Sequence, residues 1–254
     1  MIDNTLFAEN LRALADRYET PRFLHGDPSW FMHKVQGTAN QEVMAFLAAC
    51  LSFGSRVQFL TKVERLLIAS KSEPWQWVRS GNFARFIPES NDCFYRMYTF
   101  SDIHQWLQAL SELLVQYGTL GDFAREAAGK AGTHTDVEKV LDALSGWFAE
   151  RGVKGIVPRP FTSVCKRPCM FLRWMVRSGS PVDLGLWREF IDPANLIIPL
   201  DTHVLQVSRQ LGFIQSKSAN WRTAVELTRK MAEYFPGDPA RADFALFGLG
   251  VSKK

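Results

Sequence analysis

The chain has 254 residues, 46% of them apolar, and a formal net charge of only +4. That length allows one large domain or two closely joined lobes around a substantial core. No run approaches the roughly 20 apolar residues of a membrane span, and the opening MIDNTLFAEN, with its acid and no long apolar stretch, does not read as a secretion signal. Four cysteines, Cys50, Cys93, Cys165 and Cys169, include no C-x-x-C pair. This argues against a metal or iron–sulfur site and against a disulfide scaffold, and it suits a reducing cytoplasm.

Periodicity is helical almost throughout. Phe7, Leu11, Leu14 and Tyr18 form one stripe, ended by Thr20-Pro21. Residues 22–39 read as an aromatic-rich loop containing Trp30 and Phe31. QEVMAFLAACLSFG is apolar nearly all round and predicts a central buried helix. Val57, Leu60, Val63 and Leu67 repeat helically after it, and SEPWQWVRSG predicts a short helix with Pro74 near its start. Ser101 is the expected cap of SDIHQWLQALSELLVQYG, with Gly118 at its end. Thr135 and Glu138 form a capping box before the next apolar stripe. RGVKGIVPRPFTS is a loop, followed by a helix over 165–177, a short helix near 183–191, and a helix opened by Asp201. NWRTAVELTRKMAEYF and DPARADFALFGLGV supply the last helices. No convincing strand alternation is present, so the reading is an all-α protein of about ten helices.

The charge is uneven. Arg151, Lys154, Arg159, Lys166, Arg167, Arg173 and Arg177 fall in a stretch, 151–182, that has no Asp or Glu. Such a patch suits phosphate backbones, unless its arginines pair with acids from elsewhere in the fold. Lys166 opens a helix with Arg167 beside it, where the helix dipole disfavours cations. A residue that breaks a local rule raises a functional question. Asp201, at an abrupt junction between an apolar run and a helix, is a favoured N-cap.

PLDTHVLQVSRQLGF resembles the aspartate segment of the helix-hairpin-helix DNA glycosylase superfamily, the endonuclease III-like and oxoguanine glycosylase enzymes. KRPCMFLRWMVR, IIPLDTHV and DFALFGLG together resemble an uncharacterised bacterial family distantly related to those enzymes. The likeness spans roughly 160–250. It implies Lys166 as the Schiff-base nucleophile and Asp201 as its electrostatic partner, with no metal or other cofactor. Two departures stand out. The hairpin positions that hold Gly-x-Gly in the superfamily are Thr162 and Val164 here, and the 35-residue gap from Lys166 to Asp201 is long.

The chemistry fits those residue types. A neutral lysine amine attacks the sugar carbon that holds the base, and an ordinary lysine, with a pKa of about 10.4, is almost wholly protonated near neutrality. Burial and the nearby Arg173 and Arg177 are expected to activate it. A carboxylate stabilises the positive charge that develops on the sugar. Lys154, Arg159, Arg167, Arg173, Arg177 and His203 are the expected DNA contacts, although a structural hydrogen bond is the favoured role of His203. A flipped base needs aromatic walls. The candidates are Trp30, Phe31, Trp174, Trp187, Phe244 and Phe247, each with core packing as its default. Glu42, Arg56 and Asp243 are polar residues near apolar helices, and buried pairing is the default for all three.

The expected architecture has two helical lobes, 40–178 ending in the lysine helix, and 1–39 with 179–254 carrying Asp201, with duplex DNA between them. The expected activity is a monomeric, cytoplasmic and nucleoid-associated DNA glycosylase with AP-lyase activity, acting on a damaged base with oxidised purine as leading substrate. The rival reading is a nucleic-acid-binding protein on the same fold that has lost catalysis.

Overall fold

A computed structural model describes residues 4–130, 132 and 134–251. Among the described residues the chain is all-α apart from one small hairpin. Its elements are α1 (Asn4–Tyr18), α2 (Thr38–Leu51), α3 (Arg56–Ala69), α4 (Pro74–Arg79), β1 (Cys93–Tyr95), β2 (Tyr98–Thr99), α5 (Phe100–Tyr117), α6 (Leu120–Gly129) and α7 (Asp136–Glu150). They continue with α8 (Lys166–Val176), α9 (Thr202–Gln210), α10 (Trp221–Ala232) and α11 (Ala242–Val251). Among the described residues, no helix is long and apolar enough to cross a membrane.

The chain divides into two compact units. One comprises Met1–His25, Thr135–Glu138 and Pro158–Lys254; the other comprises Gly26–His134 and Lys139–Val157. The boundaries therefore fall near 25 and 157 rather than at 39 and 178. The lysine helix belongs with the aspartate helix, because the arginines of α8 find their acids there, on α1 and in the segments around α11.

The unit of residues 26–157 is built around α2, which is buried from Glu42 to Leu51. With no polar face to present to water, that helix packs against the turn Pro28–Lys34 and against α3, α4 and α6. Phe46 stacks on Phe148 at 5.3 Å and meets Trp106 at 6.0 Å. Each such side chain contributes about 1.5–3 kcal/mol on burial. Buried Glu42 accepts the Gly121 N–H at 3.1 Å, setting its charge at the positive end of α6.

Several local expectations are corrected here. The inward face of α3 is Phe59, Val63 and Leu66, while Val57 is 77% exposed. Thr99, not Ser101, caps α5, in a reciprocal box with Asp102. Helix α6, capped by Thr119, was not anticipated, nor was the antiparallel pair β1–β2.

The other unit holds α1 and α8 to α11. Helix α11 is apolar almost all round, and both α1 and α9 pack on it. Its two glycines explain how they come so close. A Cβ at Gly248 would overlap the Tyr18 ring, and one at Gly250 would overlap the His203 imidazole. Gly250→Ala should therefore lower stability by about 1–3 kcal/mol through overpacking, read as a lower melting temperature. Adding His203→Ala should recover part of that loss, and an unchanged melting point in the single variant would refute the packing argument.

The short helix expected near 183–191 is absent. The N–H groups of Leu184 and Gly185 donate to the Trp174 carbonyl, and that of Trp187 donates to Met175. These groups satisfy the last carbonyls of α8 instead of building a helix of their own. Gly185, at φ +68°, makes the required turn against the Ser178 backbone.

Candidate active site

The loop before α8 leads straight to its first residue, Lys166. Cys165, immediately before it, is buried in the left-handed region at φ +53°. For an L-residue this costs about 1–2 kcal/mol. Phe161 shares that sign at φ +64°. The left-handed positions of this turn thus flank Thr162 and Val164 and are not those two residues. The Cys165 thiol donates to the Pro158 carbonyl at 3.3 Å, and the Ser163 hydroxyl to the Arg159 carbonyl at 2.6 Å. These bonds hold the loop as it delivers the lysine.

Asp201 is the N-cap of α9, with extended backbone. Its Oδ1 accepts the N–H groups of His203 and Val204, both at 2.9 Å. Its Oδ2 meets Lys166 Nζ at 2.9 Å, and the two side chains are 31% (lysine) and 34% (aspartate) exposed. Residues 35 apart in sequence are therefore joined at the starts of two helices, in a place that solvent reaches. Burial disfavours the carboxylate's charge. Lys166 and the two backbone donors more than offset this, and the carboxyl lies below its usual range. One oxygen holds the helix and the other holds the amine.

Behind this pair runs a chain of charges, buried at Arg173, Arg177, Asp183 and Glu19 and reaching the surface at Asp16. Arg173 Nη1 donates to Asp243 Oδ2, and Arg173 Nε lies 3.3 Å from Asp183 Oδ1. Arg177 pairs with Asp183, with Glu19 at 2.8 Å and with Asp238 at 2.9 Å. Arg241 continues the chain to Glu19 at 2.7 Å and to Asp16. Asp243 is the member on which the charges of Asp201 and Lys166 both act. Burial raises its carboxyl against the pull of Arg173, and the Asp201 charge adds to the rise, so it titrates at about 6.

This arrangement corrects several expected DNA contacts. Arg173 and Arg177 are each only 3% exposed and are held by carboxylates, so they cannot track a phosphate backbone. Arg151 is engaged as well, at 2.8 Å from Glu112 and over the Trp147 ring. Lys154 and Arg159 are exposed, and Arg167 is half-buried. His203 Nε2 is buried with no hydrogen-bond partner, turned toward Gly250 of α11, so neither a phosphate contact nor the favoured structural hydrogen bond forms at that nitrogen.

Most aromatic candidates belong to the core. Trp174, Trp187, Phe244 and Phe31 are buried. Trp187 meets Phe171 edge-on at 5.2 Å, and the Phe244 ring lies under both Arg173 and Arg177. Trp30 is half-buried beneath Lys34, and Phe247 is half-buried against Phe23. The pairing expected for Glu42 and Asp243 is present, whereas Arg56 is exposed. Sequence reasoning missed that Asp243 binds Arg173 and feels the charges of Lys166 and Asp201. The available signal was an acid opening the otherwise apolar helix DFALFGLG.

The chain is thus an all-α protein in which a lysine and an aspartate, each at a helix start, form an ion pair backed by buried charges. It belongs to the family described as "Protein of unknown function (DUF2400)", which matches residues 27–252. No curated protein and no solved structure matches it.

Proposed function

We propose that this protein is a DNA glycosylase with AP-lyase activity, in which Lys166 is the nucleophile and Asp201 stabilises the charge that develops on the sugar. The observation that carries the reading is the 2.9 Å contact between Lys166 Nζ and Asp201 Oδ2 at a solvent-accessible junction. A surface lysine has no need of a partner whose other oxygen is already fixed by two backbone donors. That fixation orients the carboxylate before substrate arrives, which is what electrostatic stabilisation of a transition state requires.

In this reading the Lys166 amine, once it has lost its proton, forms a bond to C1′ while the bond from C1′ to the base breaks and its electrons leave with the base. The secondary amine then opens the sugar to an imine. Asp201 faces the cationic sugar on the way. Exposed Lys154 and Arg159 provide phosphate contacts, and the substrate is a damaged duplex, with oxidised purine as the leading class. The site of action is the cytoplasm, on nucleoid DNA.

The test is borohydride trapping on duplexes that carry abasic sites, oxidised purines or other damaged bases. A covalent protein–DNA adduct supports the reading. Salt-dependent binding without any adduct supports a nucleic-acid-binding protein that has no chemistry, and overturns the enzyme.

Asp201 offers a further separation of roles. Asparagine caps helices about as well as aspartate, so Asp201→Asn should leave the melting temperature nearly unchanged. It should still slow base excision by about 10²–10³-fold, the usual cost of removing an electrostatic stabiliser. Asp201→Ala should add a loss of about 0.5–2 kcal/mol in stability. Equal activity in the wild type and Asp201→Asn would reduce the aspartate to a cap.

A further inference from the structure

We infer that the α2-centred unit carries a site of its own, a cleft at the turn between α3 and α4 that binds a nucleoside 5′-monophosphate, with the base on Phe86 and the phosphate between Lys71 and Arg85. Lys166 and Asp201 lie in the other unit, and nothing in this cleft depends on their role.

The cleft has a volume of about 370 Å³. Small-ligand sites span about 300–1,000 Å³, and this one falls at the end that suits a single nucleotide. Three features of its lining specify the ligand. The first is an aromatic wall. Trp77 is buried, and Phe86, whose ring centre lies 6.4 Å from that of Trp77, is 52% exposed. A flat ring laid on Phe86 covers apolar surface that otherwise meets water, and such stacking accepts any base. The second is uncompensated positive charge. Lys71 and Arg85 both line the cleft, and neither has an ion-pair partner among the described residues. Glu73, the acid among the lining residues, is engaged elsewhere: the Asn40 side-chain amide donates to its Oε2 at 2.8 Å. Two free cations at one opening suit an anion whose several oxygens accept from both. The third is a pair of primary amides. Gln76 and Asn82 line the same cleft, and neither side chain is hydrogen-bonded among the described residues. Each offers donors and an acceptor, the mixture that the edge of a base requires.

The backbone sets these groups in place before a ligand arrives. Lys71 and Ser72 end α3 in the left-handed region, at φ +52° and +61°, and their N–H groups donate to Ile68 at 3.0 Å and to Leu67 at 3.2 Å. Gly81, at φ +73°, turns the chain after α4, so that Asn82 and Arg85 share the cleft with Lys71.

The experiment is isothermal titration of the full chain with adenosine, guanosine and cytidine 5′-monophosphates, and with adenosine, inorganic phosphate and indole-3-acetate for contrast. The monophosphates should bind at one site. Adenosine and inorganic phosphate should each bind about 10–100-fold more weakly, because each keeps only part of the contacts. Arg85→Gln and Lys71→Asn should each weaken the monophosphates by about 10-fold or more. Asparagine tolerates the left-handed backbone at 71. Phe86→Ala should cost about 5–150-fold, the usual worth of one base–aromatic stack. All three side chains are exposed, so the variants should melt as the wild type does, and any one that is folded carries the test. Arg65→Gln, which removes an exposed cation of α3 outside the cleft, should bind as the wild type does. A free nucleotide and the 5′ end of a strand share this chemistry. A 5′-phosphorylated hexanucleotide that binds as tightly as the monophosphates assigns the strand end, and one that binds more weakly assigns the free nucleotide. Absence of binding by every monophosphate overturns the site. So does binding that is unchanged in folded Arg85→Gln and Lys71→Asn, or tighter binding of inorganic phosphate or indole-3-acetate than of any monophosphate.

Discussion

Lys166→Gln is expected to form no borohydride-trappable adduct and to excise bases at least ~10³-fold more slowly, as removal of a nucleophile generally does. The argument is chemical and structural together. Glutamine has no amine to form an imine, yet it is long enough to hydrogen-bond Asp201 and keep the junction closed. The lost ion pair is about one-third exposed on each side, and such pairs contribute only about 0–1 kcal/mol. Removing a cation from the start of α8 also relieves an unfavourable dipole interaction. Stability should therefore barely change while chemistry stops. Lys166→Arg keeps the charge and should be equally inactive in trapping, which separates nucleophile from counter-ion. An adduct that persists in Lys166→Gln would show that another amine attacks, and the proposed site would be wrong.

Arg177→Ala is expected to destabilise the protein by about 3–5 kcal/mol, the typical cost of removing one partner from a buried ion pair. Arg177 is the shared cation of Asp183, Glu19 and Asp238, and burial leaves Asp183 and Glu19 little access to water. Burial also disfavours the guanidinium charge, but its three carboxylates prevail and raise its proton affinity further. A loss of that size is a large fraction of the stability of an ordinary domain, so the variant should melt far lower or accumulate poorly. Had Arg177 been a phosphate contact, its removal would weaken DNA binding and flatten the salt dependence at constant stability. Thermal melts beside salt-titrated binding decide between the two.

The same network implies sensitivity to acid. Burial opposes the Glu19 charge, but Arg177 and Arg241 overcome it, and its carboxyl lies below the ordinary value of 4.5. Its contribution is present above that value and is lost as pH falls through the lower folded one.

The helices were legible because their apolar periods are strong and their punctuation is local. The Thr135–Glu138 box, Gly118 and the Asp201 cap were each read from a few adjacent residues. Errors arose where the signal was weaker or longer in range. In α3, a stripe through Val57 is offset from the true face through Phe59, because both fit the same period over so short a helix. The strands have only two or three residues each, too few for alternation to register. Helix α6 did carry a signal, Thr119 followed by Asp122, and its cap follows that pattern.

The pairing of Lys166 with Asp201 was legible only through resemblance, since nothing local in either segment specifies the other. The roles of Arg173 and Arg177 were misread for the converse reason. A stretch without acids looks like a bare basic face, but its acids come from Glu19, Asp183, Asp238 and Asp243, on either side in sequence. In the structure every residue from Phe171 to Arg177 is buried, so these arginines have no wet side to occupy.

The packing of α1 against α11 has a consequence for biosynthesis. The α2-centred unit is almost continuous in sequence and can condense while the ribosome is still at work. The lysine-bearing unit cannot, because Glu19 waits for Arg177 and Arg241, and α1 waits for the last helix to emerge. A nascent chain therefore carries Lys166 unassembled, and a product truncated before α11 would be left without the packing that holds this unit together.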